Sequence, residues 1–117
     1  MIRQETALGN ISVGNNVITQ IAGNAATKCF GVRGMAMRST VDGLVHLLRR
    51  ESMSKGVAVR ANEDGTLSVD LHIIVNRGIN LTALCRSIIS EVRYMVSQEA
   101  ETEVAEVNIY IDGMIAD

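Results

Sequence analysis

Apolar residues occupy every second position of one stretch: Leu67, Val69, Leu71, Ile73 and Val75, with Ser68, Asp70 and His72 between them. A period of two describes a strand with one apolar and one wet face. The run Gly56-Val57-Ala58-Val59-Arg60-Ala61 comes before it, and Asn62-Glu63-Asp64-Gly65 lies between the two. Asp and Gly tolerate the positive φ of a tight connection, so the pair predicts a β-hairpin. A sheet that is apolar on one face must be covered, and three helical patterns could cover it. In the first, Val17, Ile18, Ile21, Ala22, Ala25 and Ala26 recur at helical spacing as far as Cys29, with Asn15 or Asn16 as cap. In the second, Val41, Leu44, Val45, Leu47 and Leu48 predict a shorter helix, capped by Ser39 or Thr40 and ending at Arg49-Arg50. In the third, Asn80 caps a long helix from Leu81 to about Ala100, with Leu81, Leu84, Cys85, Ile88, Val92, Met95 and Val96 on its inner face.

Three further segments read as strands: Gly9-Asn10-Ile11-Ser12-Val13, Val32 to Arg38, and Val104 to Ile111. In the last, Val107, Ile109 and Ile111 point inward and Asn108, Tyr110 and Asp112 outward. The element order is β-α-β-α-β-β-α-β. The expected architecture is an α+β two-layer sandwich, with the helices packed on one face of a mixed sheet. Residues 1–8 read as a flexible leader, and residues 9–117 as a single domain.

Composition narrows the function. Of the 117 residues 47% are apolar but only 3% aromatic, so the core is aliphatic and few rings are available to stack on bases. Cys29 and Cys85 are far apart and form no C-x-x-C pair, which suggests reduced thiols in a cytoplasmic protein. The first residues lack the apolar run of a secretion signal, and no stretch approaches the ~20 apolar residues of a membrane span. Charge is uneven. Residues 28–60 carry seven of the eleven basic residues and two acids, whereas residues 99–117 carry six acids and no base. Such a dipolar chain suits contact with an acidic partner or with the opposite end of a neighbour.

The sequence holds few constellations that could carry chemistry. Neither His46 nor His72 has a second ligand at metal-binding spacing. His72 lies two residues from Asp70 on one strand face, the arrangement of a base and its orienting carboxylate, but an ordinary exposed sheet face has the same spacing. No serine sits in a nucleophile elbow, and no glycine run forms a phosphate loop. Catalytic residues, cofactors and metals are therefore not expected. Two binding surfaces remain. One is the uncovered sheet face, with Ser68, Asp70, His72, Ile74, Asn108 and Tyr110, where Ile74 and Tyr110 are the apolar members. The other is a basic set, Arg33, Arg38, Arg49 and Arg50, suited to a nucleic acid or anionic ligand. No aromatics interleave those arginines, which argues against nucleic acid.

Three stretches together resemble the alkaline shock protein / Gls general stress protein family of mainly Gram-positive bacteria. They are Gly9 to Val13 running on through Val17-Ile18-Thr19-Gln20-Ile21-Ala22-Gly23-Asn24-Ala25-Ala26 to Gly31-Val32; Gly56-Val57-Ala58-Val59 with Asp64-Gly65 and Leu67 to Leu71; and Gly78-Ile79-Asn80 along the long helix to Val107-Asn108-Ile109-Tyr110-Ile111. The family often has Thr-Gly after the long helix, where this chain has Glu101-Thr102-Glu103. The resemblance implies a non-enzymatic cytoplasmic protein of cell-envelope or general stress homeostasis. It also implies homo-oligomers, or a protein partner that holds the molecule at the membrane. It carries over no catalytic residues.

Overall fold

The computed structural model describes residues 2–6, 9–38, 45–47 and 55–116. Strand β6 (Leu67–Asn76) organises the molecule because it has three partners. It pairs in parallel along its length with β7 (Val104–Ile115). Its other edge is shared: β5 (Val57–Ala61) pairs antiparallel with Leu67–Leu71, and β3 (Val32–Arg38) pairs antiparallel with Ile73–Val75. The sheet is therefore mixed. Gly56, just before β5, lies against the middle of β3. A Cβ there would lie 2.9 Å from Met35 Cβ and 3.0 Å from the Ala36 carbonyl oxygen, an approach that only glycine allows.

The odd-numbered residues of β6, Leu67, Val69, Leu71, Ile73 and Val75, are all at most 2% exposed. They form one core with Ile18, Ile21, Ala22, Ala25 and Ala26 of α1 (Asn15–Thr27) and Leu84, Ile88, Val92, Val96 and Ala100 of α2 (Leu81–Ala100). Both helices therefore cover the same sheet face. Burying each large aliphatic side chain stabilises the fold by roughly 1.5–3 kcal/mol. The α2 stripe advances in steps of four residues, a ridge that lies against the alanine-rich face of α1. Asn80 caps α2 as expected, its Oδ1 accepting from Ala83 N at 3.1 Å. The hairpin turn also forms as read: Gly65 takes φ 88°, and Asp64 Oδ1 accepts from Thr66 N at 3.0 Å and from Thr66 Oγ1 at 2.7 Å.

Three local expectations change. Residues Ile2–Thr6, placed in a leader, form strand β1 and pair antiparallel with β2 (Gly9–Val13) from Ile2↔Val13 to Thr6↔Gly9. β1 has little apolar content of its own, so its pairing depends on the adjacent strand. Val45–Leu47, placed in a second helix, form strand β4 against β3, with Arg38 opposite Val45 and Ala36 opposite Leu47. Val45 and Leu47 satisfy a period of two as well as of 3.6, and β-branched Val45 suits a pleated edge. The rest of that expected helix, with its Ser39 or Thr40 cap and Arg49-Arg50 end, lies outside the described residues. Finally, the N-cap of α1 is Gly14, with no side-chain cap, rather than Asn15 or Asn16. The Gly14 carbonyl accepts from Val17 N at 3.1 Å.

Candidate interaction surface

The even-numbered residues of β6 point away from the helices. The parallel register sets Ser68 opposite Glu106, Asp70 opposite Asn108 and His72 opposite Tyr110. Five of the six side chains expected on the uncovered face are held in two hydrogen-bonded or stacked groups. In the first, Asn62 Nδ2 donates to Ser68 Oγ at 3.2 Å. Beside it, Asp70 Oδ1 accepts from Arg60 Nη2 at 3.1 Å and from Asn108 Nδ2 at 2.9 Å. Asn108 Nδ2 also donates to Glu106 Oε1 at 2.7 Å, and Arg60 lies 3.8 Å from the same carboxylate. Arg60 is more than half exposed, so its ion pairs contribute at most about 1 kcal/mol; they align the face more than they stabilise it.

The second group is aromatic. The His72 and Tyr110 rings stack with centroids 4.7 Å apart and an interplanar angle of 13°. His72 Nδ1 lies 2.9 Å from Asp112 Oδ2. The carboxylate partner of His72 is thus Asp112, forty residues on, and not Asp70, which Arg60 and Asn108 occupy. A register irregularity brings Asp112 there: Ile73 pairs with Ile111 and Ile74 with Gly113, so Asp112 is the extra residue of a β-bulge. A bulge redirects one side chain and sharpens the local twist.

Ile74 is the exception on this face. At 5% exposure it is buried, not an apolar contact point, and Ser68 is only 7% exposed. The uncovered surface is therefore smaller than expected, centred on Asp70, His72, Asn108 and Tyr110, with Arg60, Glu106 and Asp112 joining it. Arg60 escaped the sequence reading, although the hairpin register that sets it opposite Ser68 follows from the turn length. Asp112 was legible as outward-facing, but its reach to His72 depends on the bulge.

The basic set does not come together as a described site. Arg33 is exposed and hydrogen-bonded from Nη1 to Asn76 Oδ1 at 3.5 Å. Arg49 and Arg50, and the side chain of Arg38, lie outside the described residues. Both cysteines are free and half-buried. Burial, and secondarily the charge of Glu91, pushes the Cys29 thiol pKa up. Among the described residues no group of three or more His, Cys, Asp and Glu could hold a metal ion. No helix among them is long and apolar enough to cross a membrane.

Together these elements form a two-layer α+β module with a polar, partly aromatic sheet face. Residues 3–116 match the alkaline shock protein 23 family, described as having a cell envelope-related function, and the chain belongs to that family. It is 38% identical over 114 residues to the uncharacterized protein YloU of Bacillus subtilis, covering 97% of this chain and 94% of that one. It is 30% identical over 114 residues to the uncharacterized protein Spy1614 of Streptococcus pyogenes, covering 97% and 93%. A second Bacillus subtilis relative, the uncharacterized YqhY, is 28% identical over 97% of this chain and 83% of its own. No solved structure matches the chain.

Proposed function

We propose that this member of the alkaline shock protein family is a non-enzymatic interaction protein of cell-envelope or general stress homeostasis, which acts by self-association or by docking a protein partner on the uncovered β6–β7 surface. The observation that carries the reading is Tyr110, 46% exposed and stacked on His72 in the middle of a strand that has β6 as its one partner among the described residues. Tyrosine supplies large contact area with few rotatable bonds, which is why it is enriched at interface hot spots. The surrounding hydrogen bonds hold the polar side chains in place before any partner arrives, which lowers the ordering cost of association. A second strand could also add to the outer edge of β7, whose twelve residues exceed a usual strand length.

Sedimentation velocity over a broad concentration range tests self-association, and capture on immobilised protein with mass-spectrometric identification tests docking. Tyr110→Ser should weaken whichever association is present by about tenfold. A wild-type monomer at every concentration, with no captured protein that Tyr110→Ser releases, would overturn the reading. Retention of a cell-envelope protein by wild type but not by Tyr110→Ser would support the docking form.

A further inference from the structure

We infer that the end of the molecule carrying Phe30 docks directly on an anionic lipid bilayer. Phe30 is the chain's only phenylalanine, and it is 93% exposed. It occupies the reverse turn after α1, and that turn is firmly held. Gly31, at φ 102°, lies against the Ile79 side chain; its carbonyl accepts from Asn76 N at 2.9 Å, and Val32 N donates to the Cys29 carbonyl at 3.2 Å. The backbone that carries the phenyl ring is thus held in place, and the ring itself stands in solvent. Two shallow grooves flank it. One, of about 440 Å³, is lined by Phe30, Gly78, Ile79, Asn80, Ala83, Leu84 and Ser87. The other, of about 580 Å³, is lined by Lys28 and Arg86 together with Phe30, and its lining includes one acid, Glu91.

Charge selects the occupant. Lys28 and Arg77 on loops, Arg86 on α2 and Arg33 near the start of β3 are all exposed at this end, Arg33 hydrogen-bonded to Asn76. The sequence has no Asp or Glu between residues 6 and 41, or between 71 and 90. A bilayer presents an anionic phosphate layer above an apolar interior, the same vertical order as cations set around the base of a protruding ring. A second copy fits less well. Two basic ends would face like charge. At the opposite end, beside Glu99, Glu101 and Glu103, the described recess is lined by Arg93, Ser97 and Glu103 as much as by Val104 and Ala105, a mixed seat for a phenyl ring rather than an apolar one. The residues involved are not those of the sheet face, so the inference stands apart from the reading above.

The test uses the full chain with two kinds of vesicle, phosphatidylcholine alone and phosphatidylcholine mixed with phosphatidylglycerol. Wild type should co-sediment with the anionic vesicles at low salt and be released as salt rises. Phe30→Ser should weaken binding about tenfold, and Lys28→Glu or Arg86→Glu at least about fivefold each. The chain has no tryptophan, so Phe30→Trp introduces a single reporter, whose emission should shift to the blue on anionic vesicles only. Tyr94→Ser, removing another exposed aromatic of α2, and Tyr110→Ser should both leave vesicle binding unchanged, which separates this surface from the sheet face. Three results would each overturn the inference: no binding to anionic vesicles at low salt, wild-type binding by Phe30→Ser, or a blue shift of the tryptophan variant with protein concentration and no lipid.

Discussion

Gly56 shows how much of this fold depends on single atoms. Two strands share one edge of β6, and this residue, just before β5, lies against the middle of β3 with no room for a side chain. Gly56→Ala places its Cβ against Met35, which is fully buried, and against the Ala36 backbone, neither of which can swing aside. The substitution should destabilise the protein by about 1–3 kcal/mol, read as a lower urea midpoint at unchanged slope. Asp64 makes a different kind of contribution. Hydrogen bonds from the Thr66 hydroxyl and then the Thr66 N–H hold its carboxyl pKa below the ordinary value. A group with a depressed folded pKa stabilises the fold above its unfolded pKa, and loses that effect as pH falls through the folded value. Asp64→Ala should therefore lower stability near neutral pH, and the difference from wild type should close in strong acid, as urea titrations at the two pH values would reveal.

At the scale of the element, α2 carries the clearest mismatch between local preference and sequence. Its first turn has no acidic residue and its last turn no basic one, and Glu99 and Glu101 sit at the negative end of the helix dipole. Glu101 also adopts a left-handed conformation, φ 51° and ψ 38°, which helices usually assign to glycine. Glu101→Gly relieves the steric penalty of that positive φ. It should stabilise the protein by about 1 kcal/mol, seen as a higher thermal midpoint with unchanged circular dichroism. The two bulges of β7 matter for the opposite reason. They break the ladder at Ala105 and at Asp112, and the second one delivers Asp112 to His72.

Over the whole molecule, charge is sorted by position. Residues 28–33 and 76–80, together with the first turns of α2, are basic, while the helix end and the turn into β7 are acidic. A helix of twenty residues separates the two by about 30 Å. Salt should therefore act differently on the two proposed surfaces. Vesicle binding at the Phe30 end should weaken steeply between low and physiological salt, because its cations are exposed. Association through Tyr110, beside charges that are already paired with one another, should change less over the same range. Parallel salt titrations of vesicle binding and of sedimentation behaviour would reveal the contrast.

Periodicity alone determined much of this protein. The alternation of Leu67 to Val75, the Asp64-Gly65 turn, the four-residue stripe of Leu84, Ile88, Val92 and Val96, and the Asn80 cap are short-range patterns, and short-range patterns are written directly in a chain. The wet face of β6 followed from the same alternation. What required the tertiary structure was every feature that depends on a partner distant in sequence. Val45–Leu47 became a strand because the edge of β3 was free to pair with it, and Ile2–Thr6 because β2 lay beside it. Ile74 was buried although the helices lie on the other face. His72 took Asp112 instead of Asp70 because a one-residue bulge, invisible to a period of two, shifted the register of a parallel strand forty positions away.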